Sequence, residues 1–299
     1  MTLGELVDWA SDKARFAHLT DYLAFTERYL DFTAASLKTV IISQNEDPYR
    51  FYQYGQDGHF NITRPMNGDL IYKRTKAAQK HATFLETLGA IQDFTSDVTR
   101  RRNLVEVIYT VQQSIGAALD ALPAGQSNRA RKVNGDLFEQ FIQLIIQEMG
   151  VACDSGTVQV PVTVDGQVAF KMRYQHDLLI KDAGQLRIIG SVKTSSKDRI
   201  DKIFLDKFLY CKLTGTALPH IAVFLNDVQR KAMRHEGEYG ISSTFLPGHF
   251  KGLDVNLNPL DGVYYCDIRP NMRADPVLRR SIRTIDHLLC EDIWTLLGR

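Results

Sequence analysis

The stretch "HDLLIKDAGQLRIIGSVK", residues 176–193, decides how the fold is read. Strand-like apolar runs flank "KDAG", which reads as a hairpin turn. The hairpin sets an acid, Asp177, on one strand and a lysine, Lys193, on the next. Ser191 and Lys193 share a face, because strand side chains alternate. A small polar run follows, and then a helix expected over about 198–214 that opens with alternating charge.

The pattern extends in both directions. Before the hairpin, "VNGDLFEQFIQLIIQEMG" is strongly amphipathic and ends in Gly150, a helix with its stop signal. "TVQVPVTV" and "QVAFKMRYQHDLLI" read as strands, and so, after the charged helix, do "HIAVFLN" and "GVYYCDI". A terminal helix is expected over 277–297. Helix, antiparallel strands, helix, strand is a mixed α/β core.

The first third reads differently. "LTDYLAFTERYLDFTAASLKTVII" spaces Tyr22, Phe25, Tyr29 and Phe32 as one helical face, and helices are expected near 74–91 and 101–120. The polar, aromatic segment 45–69 is too long for a simple connection, so it is either a functional loop or partly ordered strands. "ALPAGQSNRARK" marks a boundary between a mainly helical region, 1–125, and an α/β core, 126–299.

At 299 residues the chain is long enough for a substantial core. Its net charge of +1 provides no global field toward nucleic acid, so any DNA-binding surface rests on locally clustered charge. Cys153, Cys211, Cys266 and Cys290 lie far apart without a C-x-x-C pair, which argues against a zinc module and suits a reducing cytosol. The start lacks an apolar signal core, and no apolar run approaches a membrane span. The expected location is the cytoplasm of a bacterium.

Phosphodiester cleavage needs a divalent metal, an attacking water and charge compensation at phosphorus. Magnesium takes oxygen ligands, so carboxylates should converge on one point. A neighbouring lysine can orient the water and offset developing negative charge. Asp177 and Lys193 supply two of these parts.

These residues resemble the PD-(D/E)xK nuclease superfamily. "HD" at 176–177 and "SVK" at 191–193 stand where the signature has its acid and its lysine. Two departures mark the match: His176 replaces a proline, and Ser191 replaces the second acid. "KTSSKDRIDKIFLD" narrows the resemblance to restriction endonucleases that read CCGG, CCNGG or CCWGG cores. In that group the missing strand acid is supplied from the following helix, about a dozen residues after the lysine. Asp206, thirteen positions after Lys193, stands there, with aspartate in place of the group's usual glutamate.

Helix geometry agrees. Ile200, Phe204, Phe208 and Cys211 form the expected buried stripe. Arg199 and Asp206, about 20° short of two full turns apart, project together nearly opposite it. Asp201 is expected in a local pair, for example with Lys197. The resemblance also implies a core helix with an acid facing the metal, and Glu139 in "NGDLFEQF" is the candidate; a solvated helix charge is the alternative.

Ser195 and Asp198 form an S-x-x-D capping pattern, which places Lys197, Asp198 and Arg199 in the first helical turn. Lysine and arginine donate to guanine, and a carboxylate accepts from cytosine, so the triplet suits consecutive G·C pairs. The resemblance assigns base reading to this spacing; a charged turn that merely solvates a helix end is the alternative. Arg269, Arg273, Arg279, Arg280 and Arg283 make a basic stretch open to the same two readings.

By this resemblance the chain is a Mg2+-dependent type II restriction endonuclease with a restriction-endonuclease-like mixed β-sheet core. Asp177 and Asp206, with Glu139 assisting, hold the metal, and Lys193 positions water. The implied target is double-stranded DNA with a palindromic CC…GG core, cut to leave 5′ phosphates. The implied assembly is a homodimer or tetramer, partnered by a cognate DNA methyltransferase. A structure-selective repair nuclease and a catalytically decayed DNA-binding protein are the competing readings.

Overall fold

The computed structural model describes the chain apart from residues 57, 58, 197 and 198, and its side chains apart also from those of 55–61 and 124. Lys197 and Asp198 of the expected base-reading triplet therefore lie outside the described residues.

In chain order the helices and strands begin with α1 (Leu3–Ser11), α2 (Leu19–Ser36), β1 (Leu37–Ile42), β2 (Tyr49–Gln56), β3 (His59–Ile62) and β4 (Met66–Asn67). Then come α3 (Ala77–Gly89), α4 (Val98–Leu119), α5 (Ser127–Glu148), β5 (Ala152–Val164), β6 (Gln167–Asp182), β7 (Gln185–Ser195) and α6 (Ile200–Thr214). The chain continues through β8 (His220–Asn226), β9 (Val228–Ala232), β10 (Tyr239–Ser243), α7 (Pro247–Asn256), β11 (Gly262–Tyr265) and β12 (Ile282–Thr284), and ends in short helical turns.

Contacts divide the chain into two compact units, one of Met1–Leu144 with Val228–Thr244, the other of Ile145–Asp227 with Phe245–Arg299. In the first unit α4 is buried along its length from Asn103 to Leu119, polar residues included. Several of those polar groups are bonded, which offsets the cost of their burial: the Gln112 amide donates to Asn134 and the Thr110 hydroxyl to the Leu70 carbonyl. At the C-terminal end of α4, Asp120 accepts a bidentate pair of bonds from Arg64 at 2.8 and 2.9 Å. A Cβ at Gly116 would stand 2.1 Å from that guanidinium, so glycine makes room for the ion pair.

The expected first long helix stops at Ser36. Its last six residues form β1 instead, pairing antiparallel with β2 from Leu37↔Tyr54 to Ile42↔Arg50. Thr39, Val40, Ile41 and Ile42 are a β-branched run, stiff at χ1 and suited to a pleated surface. The segment 45–69 resolves the open choice in favour of strands, with β3 and β4 also pairing on β2. The β9–β10 hairpin returns to this unit, where Asn45 exchanges two 2.8 Å bonds with the Ile241 backbone.

The second unit holds a six-stranded sheet of order β12-β11-β8-β7-β6-β5. β5, β6 and β7 are antiparallel neighbours; β7, β8, β11 and β12 run parallel. This is the mixed α/β class read from the sequence. The β6–β7 turn sits at Ala183–Gly184, both with positive φ (48° and 78°), the two-residue geometry that matches strand twist. α6 connects β7 to β8 and buries Ile200, Ile203 and Phe204 against Phe224, Phe245, Phe250 and Tyr265. Phe204 alone, fully buried, contributes roughly 2–3 kcal/mol.

Two expectations for this unit change. The terminal helix is interrupted: after Ser281 the β-branched Ile282 and Thr284 flank Arg283 as β12, added parallel to β11. On α6 the buried stripe is Ile200, Ile203, Phe204, Lys207 and Tyr210, with Phe208 and Cys211 only half-buried. The stripe is thus rotated toward Asp206, which lies on its flank and not nearly opposite it.

Candidate active site

Asp177 sits in an irregularity of the β5–β6 ladder. The register passes from Asp154↔Leu179 to Gly156↔His176, with one residue on β5 (Ser155) against two on β6 (Asp177 and Leu178). The extra residue makes a β-bulge, a device that re-aims side chains next to functional sites. Its effect is visible on either side. Tyr174 before the bulge and Leu179 after it both pack into the cluster with Ile189 of β7 and Tyr210 of α6, although their numbers differ in parity. Asp177 shares parity with Leu179; Ser191 and Lys193 share parity with Ile189. All three therefore face the α6 side of the sheet.

There the Asp177 carboxylate accepts two bonds on Oδ2, from Lys193 Nζ at 2.5 Å and from the Val192 amide at 2.8 Å. The Asp177 side chain is 13% exposed and that of Lys193 28%, a pair at the rim of the interior. Ser191, half-buried, is paired across the sheet with Ala222.

Asp206 stands on α6, its side chain 20% exposed and ion-paired one turn back with the exposed Lys202. Asp206 and Asp177 both act on the ring of His176, favouring its charged form, and burial acts more strongly the other way, so the His176 pKa is lowered. Both carboxylates thus lie within electrostatic range of one buried imidazole. His176 stacks on Tyr174 (ring centroids 6.1 Å) and meets His220 edge-on at 6.3 Å.

Sequence reasoning missed what holds Asp206 in place. The next residue, Lys207, is buried and donates to the Pro259 carbonyl and to Asp261 Oδ2, which also accepts from the His220 amide at 2.6 Å. This anchor fixes the rotation of α6 about its axis. The signal was present: Lys207 follows Ile203 by four and Ile200 by seven, a lysine in the apolar stripe. Asp201 pairs at 3.7 Å with His249, on α7; Lys197, the local partner expected for it, lies outside the described residues.

Arg199 is exposed at the N-cap of α6. Glu139 is half-buried on α5 in the part assigned to the first unit, with Lys132 of the same helix within electrostatic range. Among the described residues no three His, Cys, Asp or Glu side chains form a ready-made metal cluster.

No family model matches the chain, and no curated protein sequence matches it. Among solved structures, the crystal structure of the type IIP restriction endonuclease Kpn2I superposes with a TM-score of 0.72, covering 99% of this chain and 97% of that one. The chain has the fold of Kpn2I. The two sequences are 19% identical, so the likeness is one of architecture, and chemistry has to be argued from the site. A complex of the restriction endonuclease PspGI with substrate DNA is also similar, at 12% identity and a TM-score of 0.43 over 74% of this chain and 93% of that one. Among the described residues no helix is long and apolar enough to cross a membrane.

Proposed function

We propose that the chain is a type II restriction endonuclease that uses Mg2+ to cut both strands of a palindromic DNA site with a CC…GG core, leaving 5′ phosphates. The observation that carries this reading is the Asp177–Lys193 pair at 2.5 Å, on the same side of the sheet as the helix bearing Asp206. The Kpn2I-like fold supports the class of enzyme, and the resemblance around 176–206 supports the site and the specificity.

The donor set suits magnesium. Mg2+ keeps several waters and is commonly held by one or two carboxylates together with substrate phosphate. Asp177 and Asp206, both within electrostatic range of His176, offer two carboxylates without a closed cage. In this reading Glu139 assists from α5. When bound, magnesium supplies positive charge to the scissile phosphate and lowers the pKa of a water beside it.

The remaining steps belong to the chain. The Val192 amide and Lys193 engage Asp177 Oδ2, so Asp177 would hold the ion through its other oxygen. Lys193, a cation with three donors, orients the attacking water and offsets charge as the phosphate becomes pentacoordinate. In-line attack expels the 3′ oxygen. Lys197, Asp198 and Arg199 read consecutive G·C pairs from the start of α6. A palindrome calls for a two-fold dimer with one site per strand, or a tetramer of such dimers. A DNA methyltransferase of the same specificity protects the host.

The test is purified protein, phage DNA and Mg2+, followed by sequencing of the ends. Discrete fragments sharing one palindrome support the proposal. A smear or cutting confined to branched DNA supports a structure-selective nuclease, and binding without cutting supports a decayed site.

A further inference from the structure

The β5–β6 hairpin outruns the sheet that carries it. β7 pairs with β6 from Asp182↔Gln185 only as far as Leu178↔Gly190, whereas β5 follows β6 from Lys181 back to Gln167. Beyond the bulge at Asp177 the hairpin is a two-stranded ribbon, leaving the sheet at the end where Asp177 and Lys193 stand. Its two faces differ. Val158, Val160, Met172 and Tyr174 pack toward Tyr210 of α6. Thr157, Gln159, Lys171, Arg173 and Gln175 alternate with them, and all five are exposed. Two cations, two amides and a hydroxyl, with no acid among them, make a donor-rich face turned away from α6, on a ribbon that leaves the sheet beside the candidate site.

We propose that this ribbon face is a DNA-contacting surface that grips the duplex flanking the scissile phosphate. The inference rests on the nuclease reading above and extends its substrate contacts. A strand advances about 3.3 Å per residue, so Arg173 lies roughly 13 Å and Lys171 roughly 20 Å from Asp177 along β6. At about 3.4 Å per base step, those distances correspond to roughly four and six base pairs from the cut. A two-stranded ribbon is also an element that the major groove, about 12 Å wide, admits.

The experiment is a salt titration of binding to a fluorescein-labelled random-sequence duplex without divalent ions, from about 50 to about 200 mM NaCl. Wild type is compared with Lys171→Ala/Arg173→Ala and with the charge-conserving Lys171→Arg/Arg173→Lys. Each lost phosphate contact lowers the slope of log K against log salt by about 0.9. The alanine pair is expected to bind about 10- to 100-fold more weakly at about 0.1 M salt, with a slope shallower by about 2, while the conservative pair keeps the wild-type slope. An unchanged slope in the alanine pair overturns the proposal, and wild-type cleavage of plasmid DNA then shows that the nuclease reading survives. A changed oligomeric state with an unchanged slope also overturns it, marking the ribbon as a contact between copies. If wild type neither binds nor cuts DNA, the nuclease reading fails and this proposal fails with it.

Discussion

Lys193 Nζ and Asp177 Oδ2 stand 2.5 Å apart across two neighbouring antiparallel strands, and the Val192 amide secures the same oxygen. Both residues stand on the α6 side because β6 and β7 pair in register beside them, Leu179 with Ile189, and each lies an even number of residues from that pair. The bulge at Asp177 acts on the β5–β6 ladder and returns Tyr174, before it, to the same side as Leu179, after it.

Asp177→Asn keeps the shape of the side chain and removes its charge. Single-turnover cleavage with Mg2+ is expected to fall by about a hundredfold or more, while binding measured without metal stays within a few-fold. Lys193→Ala is expected to show the same loss of rate, with Lys193→Arg intermediate because the cation is kept but displaced. A cleavage rate with Mg2+ equal to that of wild type in Asp177→Asn or Lys193→Ala would contradict the assignment.

Arg199, at the start of α6, is assigned to base reading in this account. Arg199→Ala is expected to cost about 1–3 kcal/mol of discrimination at one G·C position and to admit sites altered there. Sequencing the ends of fragments cut by the variant measures this. A variant that weakens binding equally at every sequence would mark Arg199 as a phosphate contact instead.

Lys207→Met removes the buried anchor of α6. Asp261 keeps the His220 amide as a donor but loses its cation, and the Pro259 carbonyl loses its partner. Lys207 is buried but Asp261 is partly exposed, so breaking the pair from the lysine side costs about 1–3 kcal/mol. Urea unfolding should show that loss, and residual activity should fall more than that of an equally destabilised core variant, because Asp206 is the adjacent residue.

Burial drives the pKa of His220 down to about 4, although its Nδ1–H donates to the Leu218 carbonyl at 2.8 Å. In the unfolded chain the imidazole titrates near 6.5. The unfolded state thus binds the extra proton first as pH falls, so the contribution is complete above about pH 6.5 and is lost progressively down to about pH 4. The loss amounts to about 3 kcal/mol. The pH dependence of unfolding should be correspondingly shallower in His220→Gln over that window; equal slopes would show that His220 is not the group responsible.

Much of this architecture was legible because local signals agreed with tertiary demands. The β6–β7 hairpin was readable from "KDAG" because Gly184 adopts the left-handed backbone its turn requires. The mixed sheet followed from runs such as "HIAVFLN", which is buried at every position of β8. Failures occurred where two periodicities compete. "LKTVII" continues the apolar spacing of α2, yet its β-branched residues are claimed by β2; Ile282 and Thr284 are likewise claimed by β11. Asp177 and Lys193 were identifiable from type and spacing, but the bulge beside Asp177 that returns Tyr174 to the same side was not, since a ladder irregularity depends on the partner strand. The flank position of Asp206 was obscured by Lys207, a charge in the buried stripe whose partners come from the loop before β11.

The most direct measurement is the single-turnover cleavage rate of Asp206→Ala in Mg2+ against that of wild type. Lys202, the ion-pair partner, is 66% exposed, so the substitution should leave the fold intact and its stability within about 1 kcal/mol. With Asp206 supplying the carboxylate that Ser191 does not, the rate is predicted to fall by about a hundredfold or more while DNA binding persists. An Asp206→Ala protein that cuts its site at the wild-type rate would contradict the account.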